Sequence, residues 1–252
     1  MEPLTPIQED GFKYFEKGEG PILILLHGLF GALSNYSYII KDFVSNYKVV
    51  VPILPLYDNI WGKPTIDSLV KYTSKFIKYK GYDKIFLLGN SLGGHIAIMY
   101  TLENQNSVLG LILTGSSGLF ENTHSNNSSP TFFRRQNKEV IRDKVAKTFF
   151  DPRVATEELV NDVFGIVTDR TKALRSLGFA KNAKDKRQNV AKKLPEIKIP
   201  TLLIWGKNDT ITPPEVGEEF KNLLTNAELQ WIDNCGHAPM MEHPATFNKL
   251  LS

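Results

Sequence analysis

The sequence predicts an α/β protein with a mostly parallel sheet, flanking helices and one helical insertion. Short apolar runs alternate with longer amphipathic stretches, and no polar residue interrupts the apolar runs. This alternation stops between 116 and 194. Unbroken apolar runs are typical of strands buried on both faces, and strand–helix–strand order gives parallel neighbours joined by crossover helices. A chain of 252 residues suits one large domain. We therefore assign 1–115 and 195–252 to the core and 116–194 to the insertion.

The alternation is clear in the first 115 residues. Asp10-Gly11 stands between two β-prone stretches and predicts a hairpin. The run Ile22–Leu26 predicts the first buried strand, which ends at His27-Gly28. Apolar residues at helical spacing then alternate with further apolar runs. The predicted elements are helix 36–46, strand 48–54, helix 66–80, strand 84–88, helix 92–103 and strand 108–114.

The second half of the chain begins differently and then resumes the pattern. Residues 121–130 are polar, rich in Asn and Ser, and predict a loop, after which three or four amphipathic helical segments extend to 194. The remaining elements are strand 200–205, helix 214–224, strand 228–232 and a last helix from Pro244.

Composition excludes several classes of protein. Hydrophobic residues make up 42% of the chain and charged residues 23%, which excludes disorder over most of its length. No apolar run approaches the ~20 residues that cross a bilayer, and the acidic N-terminus does not resemble a signal peptide. The single cysteine, Cys235, cannot form an internal disulfide, and no Cys/His cluster has zinc spacing. We therefore expect a cytoplasmic protein that uses no metal and no other cofactor.

Charge is uneven along the chain. Residues 119–194 hold 16 Lys and Arg against nine Asp and Glu, although the net charge of the whole chain is only +3. The simplest interpretation is a solvated helical surface, and the alternative is a field that attracts an anionic substrate or partner. A net charge of +3 is too small to indicate nucleic acid. We expect a small-molecule substrate, no nucleic acid and no membrane span, and the sequence leaves a homodimer open.

A serine motif lies where a strand is predicted to turn into a helix. The residues Gly89-Asn90-Ser91-Leu92-Gly93 fit the pattern G-x-S-x-G, in which small flanking residues allow a sharp turn that exposes the serine. The start of the following helix also offers free backbone N–H groups to a developing oxyanion. The position predicts that Ser91 is a nucleophile.

A serine nucleophile needs a base, and the base needs an acid that orients it. His237 lies in a loop directly after the last predicted strand, which suits a base better than the positions of the histidines at 27, 95, 124 and 243. Asp209 lies just past another strand end, and the order Ser91, Asp209, His237 is the one expected for such a fold. Asp233 is the alternative acid, although it lies close in sequence to His237.

Two backbone N–H groups are predicted to form the oxyanion hole. One is the N–H of Leu92, immediately after the nucleophile, and the other belongs to the loop that follows the 22–26 strand. In that loop Leu29 is the first choice and Phe30 the second. We expect His27 to hold this loop by hydrogen bonding rather than to take part in the chemistry.

At these residues the sequence resembles the α/β-hydrolase family over nearly its whole length, and the insertion corresponds to the family's cap. Within the family it is similar to small carboxylesterases and to meta-cleavage-product hydrolases, which cleave a carbon–carbon bond in vinylogous 1,5-diketones. The similarity to the second group lies in 89–94, in Ser34-Asn35-Tyr36, in Cys235-Gly236-His237, and in Glu242-His243 and Phe247-Asn248. The resemblance implies that Asn35 and Asn90 line the substrate site, and we add Phe30 and Ala238.

Two positions differ from the meta-cleavage-product hydrolases, and three hypotheses follow. That subfamily usually has Trp where this chain has Ala238, and an arginine in a stretch that corresponds to 156–164, which contains none. The first hypothesis is a cofactor-independent serine hydrolase acting on a small ester or acyl compound. The second is a carbon–carbon hydrolase, and the third is a ligand sensor that uses the same site but acts through a protein partner. Relatives with an acid nucleophile are excluded by Ser91.

Overall fold

One sheet of eight strands organises the protein in a computed structural model that describes residues 4–58, 62–119 and 137–252. The spatial order is β1-β2-β4-β3-β5-β6-β7-β8, in which β1 and β2 run antiparallel to their neighbours and all other pairs are parallel. The strands are β1 (Ile7–Glu9), β2 (Phe12–Lys17), β3 (Ile22–Leu26), β4 (Lys48–Pro52), β5 (Ile85–Asn90), β6 (Val108–Thr114), β7 (Thr201–Gly206) and β8 (Ala227–Ile232).

Helices lie between consecutive parallel strands, as the crossover rule requires, and two more follow the last strand. They are α1 (Ser37–Phe43), α2 (Ile66–Tyr79), α3 (Leu92–Glu103), α4 (Lys138–Ala146), α5 (Glu157–Thr168), α6 (Arg170–Ala183), α7 (Pro214–Leu223), α8 (Pro239–Glu242) and α9 (Pro244–Leu251). The α/β fold class is confirmed. The four-residue helix α8 was not predicted from the sequence, because one turn is too short to show a period. The polar loop predicted at 121–130 lies outside the described residues.

The core has two layers because the central strands are buried on both faces. In β3, Ile24 and Leu26 pack on one side of the sheet, while Leu23 and Leu25 pack on the other. Helices α2, α3 and α7 cover the first face, and α1, α9 and part of α4 and α5 cover the second. Each fully buried aliphatic side chain contributes roughly 1.5–3 kcal/mol, so the central strands are the rigid part of the molecule.

Helices α4, α5 and α6 lie between β6 and β7, where the sequence predicts the insertion. Helix α6 is joined to the core by polar contacts as well as by packing. The guanidinium of Arg175 donates to the carbonyl oxygens of Leu56 at 3.0 Å and Gly62 at 3.1 Å, and Asn182 Oδ1 accepts from the N–H of Ile66 at 2.8 Å. The boundaries 116–194 and the function of this segment as a cap stay predictions.

Candidate active site

The predicted site residues follow the carboxyl ends of four neighbouring parallel strands. Ser91 comes directly after β5, the loop 27–31 after β3, Asp209 after β7 and His237 after β8. Because β3, β5, β6, β7 and β8 lie side by side and run the same way, these ends meet at one edge of the sheet. Ligand sites in open parallel sheets form at this edge. The structure therefore places the predicted residues on one side of the molecule.

The serine stands on a strained turn. Ser91 has φ 56° and ψ −120°, a conformation that non-glycine residues adopt rarely and that must be held by its surroundings. Its N–H donates to the carbonyl oxygen of Thr114 at 3.1 Å, and its carbonyl oxygen accepts from the N–H of Ser117 at 3.1 Å. A Cβ at Gly93 would overlap the carbonyl group of Leu26, so the turn can approach β3 only with glycine there.

Asp209 and His237 form a buried pair. His237 Nδ1 lies 2.8 Å from Asp209 Oδ2, and both side chains are almost completely buried. The other carboxylate oxygen, Oδ1, accepts from the N–H groups of Ile211 at 2.8 Å and Thr212 at 2.9 Å, and the Thr212 hydroxyl donates to Oδ2 at 2.8 Å. These four bonds hold the carboxylate in place, and with Oδ2 as its partner the imidazole proton lies on Nδ1. The second imidazole nitrogen, Nε2, is left as a proton acceptor.

The histidine loop is attached to the serine turn. Asn90, the residue before Ser91, uses its side-chain Nδ2 to donate to the carbonyl oxygens of Thr114 at 3.0 Å and His237 at 3.1 Å. Gly115, with φ 51°, lies against the imidazole, and a Cβ there would come within 2.8 Å of His237 Nδ1. A single asparagine and a close-packed glycine therefore hold the His237 loop against the turn that carries Ser91.

The loop after β3 presents its N–H groups in a fixed direction. The carbonyl oxygen of Gly28 accepts from His27 Nδ1 at 2.9 Å and from the N–H of Gly31 at 3.0 Å. In a trans peptide the C=O and N–H groups point in opposite directions, so the N–H of Leu29 points away from these partners. In the part of the chain that the structure describes, neither the Leu29 nor the Leu92 N–H donates to a protein acceptor. Both groups can therefore receive an oxyanion.

His27 holds this loop to the neighbouring strand end. The N–H of Leu54 donates to His27 Nε2 at 3.0 Å, so the imidazole proton lies on Nδ1 and donates to Gly28. Burial lowers the pKa of His27, because the charged form is poorly solvated inside the protein. A neutral histidine with both nitrogens bonded is a structural residue, as the sequence predicts.

The four predicted substrate residues occupy different environments. Phe30 is half-buried and packs on the second face of the core. Asn35 is almost buried and its Oδ1 accepts from the N–H of Ala32 at 3.3 Å. Asn90 has both amide hydrogens bonded to backbone carbonyls, so its Oδ1 is the atom left for a ligand. Ala238 is 5% exposed. Substrate contact by these residues stays a prediction.

Several residues that build the site were not predicted. Thr212 and Gly115 contact the Asp209–His237 pair, Tyr57 donates to the carbonyl oxygen of Leu29, and Glu242 accepts from the N–H of Gly236. For Thr212 the only sequence signal is its distance of three residues from Asp209. Gly115 and Tyr57 act across the fold, and no local pattern indicates them. Glu242 lies close to Gly236 in sequence and belongs to a motif that carries the resemblance, but its contact with Asp151 is apparent only in the fold.

The alternative acid and the cysteine lie in settings unsuited to catalysis. The carboxylate of Asp233 pairs with Lys207 at 2.7 Å, and its side chain is 74% exposed. Cys235 is buried beside the histidine loop, and burial raises the pKa of its thiol, which keeps the group protonated. Among the described residues no group of three or more His, Cys, Asp and Glu could hold a metal ion. In the same ranges no helix combines the length and hydrophobicity required to span a membrane.

The strand order, the serine turn and the buried acid–base pair define a hydrolase with a sheet-edge active site. The chain belongs to the α/β hydrolase fold family, whose pattern matches residues 21–244. A buried Asp–His pair is present, and a Ser-His-Asp triad is typical of this family of enzymes. The family expected from the sequence motifs is confirmed, and the protein is an enzyme of that family.

Three similar proteins illustrate the range of the family. The 2-hydroxy-6-oxononadienedioate/2-hydroxy-6-oxononatrienedioate hydrolase of Klebsiella pneumoniae is 29% identical over 250 residues, which cover 91% of this chain and 85% of the relative. The solved structure of MGS-MChE2, an alpha/beta hydrolase from a sediment metagenome of the lagoon of Mar Chica, Morocco, is 43% identical, covers 98% of this chain and 95% of its own, and has a TM-score of 0.78. The 2-hydroxy-6-oxo-6-phenylhexa-2,4-dienoate hydrolase of Rhodococcus sp. strain RHA1 has the same fold, with 23% identity, coverage of 95% and 92%, and a TM-score of 0.85.

Proposed function

We propose that the protein is a cofactor-independent serine hydrolase that cleaves a small ester or acyl compound through an acyl-enzyme on Ser91. The observation that carries the proposal is the strained serine turn together with the buried Asp209–His237 pair. Ser91 is held at φ 56° at the start of α3, and His237 has its Nδ1 occupied by Asp209 at 2.8 Å. A serine held on such a turn, at the same edge of the sheet as a histidine whose Nδ1 is bonded to a carboxylate, is the arrangement that nucleophilic acyl transfer requires.

The reaction proceeds in two halves. Ser91 Oγ attacks the carbonyl carbon while His237 Nε2 takes its proton, and Asp209 stabilises the resulting imidazolium. The negative charge on the carbonyl oxygen is received by the N–H groups of Leu29 and Leu92. The imidazolium then gives its proton to the leaving alkoxide, and an acyl-enzyme remains. Water, deprotonated by His237, attacks that acyl group and releases the acid and free Ser91.

The inserted helices favour an uncharged substrate. The stretch 156–164, where the resemblance leads one to look for an arginine, contains none, and the buried residues Val160, Val163 and Val167 of α5 pack in the core. The cationic side chain of Arg175 is buried in α6 and donates to the carbonyl oxygens of Leu56 and Gly62. Without an arginine in 156–164 and with Arg175 bonded to backbone, these helices offer no bidentate partner to a carboxylate, which favours an uncharged substrate.

A second candidate is a carbon–carbon hydrolase. The name of the 29% identical Klebsiella relative, which this chain covers over 85% of its length, supports this reading. In such an enzyme the same serine, histidine and oxyanion donors would act on a ketone carbon instead of an ester. The third candidate, a ligand sensor, would keep the site but release product slowly and bind a protein partner.

The test combines labelling, mutation and a substrate panel. We expect an organophosphonate to label Ser91, and Ser91→Ala to stay folded but lose at least roughly 10⁴-fold in kcat. Esters of increasing acyl length are measured beside a dienoate carbon–carbon substrate, and multiple turnovers of neutral esters are expected. Labelling of a different serine together with an active Ser91→Ala would refute the mechanism. A strong preference for the dienoate would favour the second candidate, and a single slow turnover the third.

A further inference from the structure

We propose that Glu242 is a positioning residue for the catalytic histidine. The inference deepens the proposed function and rests on it, because it assigns a means by which His237 is aimed. Glu242 forms the end of helix α8, close to the histidine loop in sequence, and its side chain is half-buried. Its carboxylate joins that loop to residues 147–151, the stretch between α4 and the turn at 152–154, which we call the clamp segment.

The carboxylate bridges two backbone groups that are distant in sequence. Glu242 Oε2 accepts from the N–H of Gly236 at 2.6 Å, and Oε1 accepts from the N–H of Asp151 at 2.6 Å. Hydrogen bonds to an ionised acceptor are short and about twice as strong as neutral ones. Both oxygens of a carboxylate accept hydrogen bonds, whereas the isosteric amide has one accepting oxygen and one donating NH2 group. Only the carboxylate can therefore accept from both backbone N–H groups.

The clamp segment also contacts the loops of the acid and the base directly. The N–H of His237 donates to the carbonyl oxygen of Thr148 at 2.8 Å. The hydroxyl of Thr210, next to Asp209, donates to the carbonyl oxygen of Lys147 at 3.1 Å. The two backbones pack so closely that no side chain fits at Gly236, because a Cβ there would lie 2.5 Å from the carbonyl oxygen of Thr148.

These bonds fix two consecutive N–H groups of the histidine loop. Gly236 is held by Glu242 and His237 by Thr148, while the carbonyl oxygen of His237 accepts from Asn90. The backbone on both sides of the imidazole is thereby fixed, and the side chain is held against Asp209. A misplacement of about 1 Å can cost on the order of 10²-fold in rate. Without Glu242 the N–H of Gly236 loses its partner, and the loop can shift.

The experiment replaces Glu242 by an isosteric amide and compares it with a matched control. In Glu242→Gln the amide oxygen can accept from one of the two backbone N–H groups, but the amide NH2 group faces the other. Glu16→Gln is the control, since Glu16 is also half-buried and bonds Lys80 at 2.9 Å and Tyr82 at 2.5 Å, but lies on β2, which the order of the sheet separates from the site strands. Glu242→Asp keeps the charge with a shorter reach and is expected to be intermediate.

Three measurements separate positioning from support of the fold. With active sites titrated by phosphonate, we expect Glu242→Gln to lose about 10- to 100-fold in kcat with little change in KM. The pH profile of kcat/KM should change in Glu242→Gln more than in Glu242→Asp, because the imidazole no longer faces Asp209 as it does in the wild type. The strongly deshielded proton between Asp209 and His237 should weaken in the NMR spectrum. Glu16→Gln is expected to lower the melting temperature and leave these three readouts unchanged.

The outcomes for this inference and for the proposed function differ. Wild-type protein that neither reacts with phosphonate nor hydrolyses esters refutes the proposed function, and the NMR signal of the Asp209–His237 proton still tests Glu242. Wild-type activity with an unchanged kcat, pH profile and NMR signal in Glu242→Gln refutes the positioning role. Should Glu242→Gln not fold, Glu242→Asp decides, and wild-type values of all three readouts in that variant count against the inference.

Discussion

At the scale of single residues, the environment of Asp209 indicates how one carboxylate serves two purposes. Its Oδ1 accepts from two backbone N–H groups and so fixes the loop 209–212, while its Oδ2 faces His237 and the Thr212 hydroxyl. The first oxygen positions the side chain, and the second sets the imidazole tautomer. A neutral amide of the same shape can preserve the first function but not the second.

We therefore predict that Asp209→Asn stays folded and loses roughly 10⁴-fold in kcat. Asn Oδ1 can still accept from Ile211 and Thr212, but its Nδ2 hydrogens face His237 Nδ1. The imidazole proton then moves to Nε2, and this nitrogen can no longer take a proton from Ser91. Ester turnover and thermal unfolding are measured for the same preparation.

The control for this prediction is Asp233→Asn. Asp233 is exposed and pairs with Lys207, and an exposed ion pair contributes little to stability. We expect near-normal turnover and melting temperature. An inactive Asp233→Asn beside an active Asp209→Asn would reverse the assignment of the acid.

At the scale of elements, the loop 27–31 after β3, which we propose to bind the oxyanion, depends on the segment that follows β4. The hydroxyl of Tyr57 donates to the carbonyl oxygen of Leu29 at 2.5 Å, and the preceding carbonyl, of Leu56, is held by Arg175 of α6. Burial raises the pKa of Tyr57, so the hydroxyl keeps its proton and remains a donor. The loop after β3 is thus held by Tyr57, and the segment that carries Tyr57 is held in turn by Arg175 of α6.

We predict that Tyr57→Phe reduces kcat about 3- to 30-fold while the protein stays folded. The change removes one hydroxyl and leaves the ring, so the carbonyl of Leu29 loses a partner at a cost of about 1–3 kcal/mol. The loop can then relax, and the N–H of Leu29 is less well aligned with the oxyanion. Turnover of a neutral ester is measured against Tyr79→Phe on α2, which should retain full activity. Equal turnover in the two variants would show that Tyr57 does not align the loop.

The elements themselves could be predicted from the sequence because their signals are local. Unbroken apolar runs identified β3, β6 and β7, and the pattern around Ser91 identified the strand-to-helix turn. Asp209 and His237 could be predicted as partners because both follow strand ends in a known order, and the structure joins them by a hydrogen bond. Their catalytic roles stay predictions. The contacts of Glu242 and Tyr57 could not, because each joins segments that only the complete fold brings together. The same holds for the boundaries of the insertion, where periodicity indicates helices but not their packing.

At the scale of the whole molecule, buried histidines couple stability to pH. His95 on α3 is fully buried, and burial lowers its pKa to about 4. Above the pKa of about 6.5 in the unfolded chain, His95 is neutral in both states and the full stability is present. Below about pH 6.5, His95 gains a proton in the unfolded chain, but in the folded protein it stays neutral until about pH 4, so stability is lost over this range. His27, whose pKa is also lowered by burial, acts in the same direction.

We predict that the free energy of unfolding falls by about 3 kcal/mol between pH 7 and pH 4 because of His95 alone. Urea unfolding across this range measures the fall, and His95→Gln should reduce it. His243→Gln is measured beside it as the replacement of a half-buried histidine outside the core, whose imidazole bonds the carbonyl oxygen of Asn234. The same slope in His95→Gln as in the wild type would contradict the prediction.

The excess positive charge of 119–194 predicts an effect on rates of association rather than on substrate choice. Arg153 and Arg187 are largely exposed, so their fields are screened within about 8–10 Å at physiological salt. We expect neutral short-chain esters to be turned over at least as well as dienoate carboxylates, and any advantage of anions in kcat/KM to fade as salt rises. Measurements with both classes at low and high salt test this, and a large salt-independent preference for the dienoate would contradict it.

The clamp segment has a consequence for engineering by recombination. Exchange of the helical region between members of a family assumes that only the two ends of that region must fit the rest of the protein. Here the backbone groups of Lys147 and Thr148 bond the loops that carry Asp209 and His237, and the N–H of Asp151 bonds Glu242. A chimera that imports a foreign helical region from 138 onward keeps these contacts only where its backbone follows the same path through 147–151. A crossover placed after 151 retains the native path, so α5 and α6 can be exchanged while the contacts to the proposed site remain.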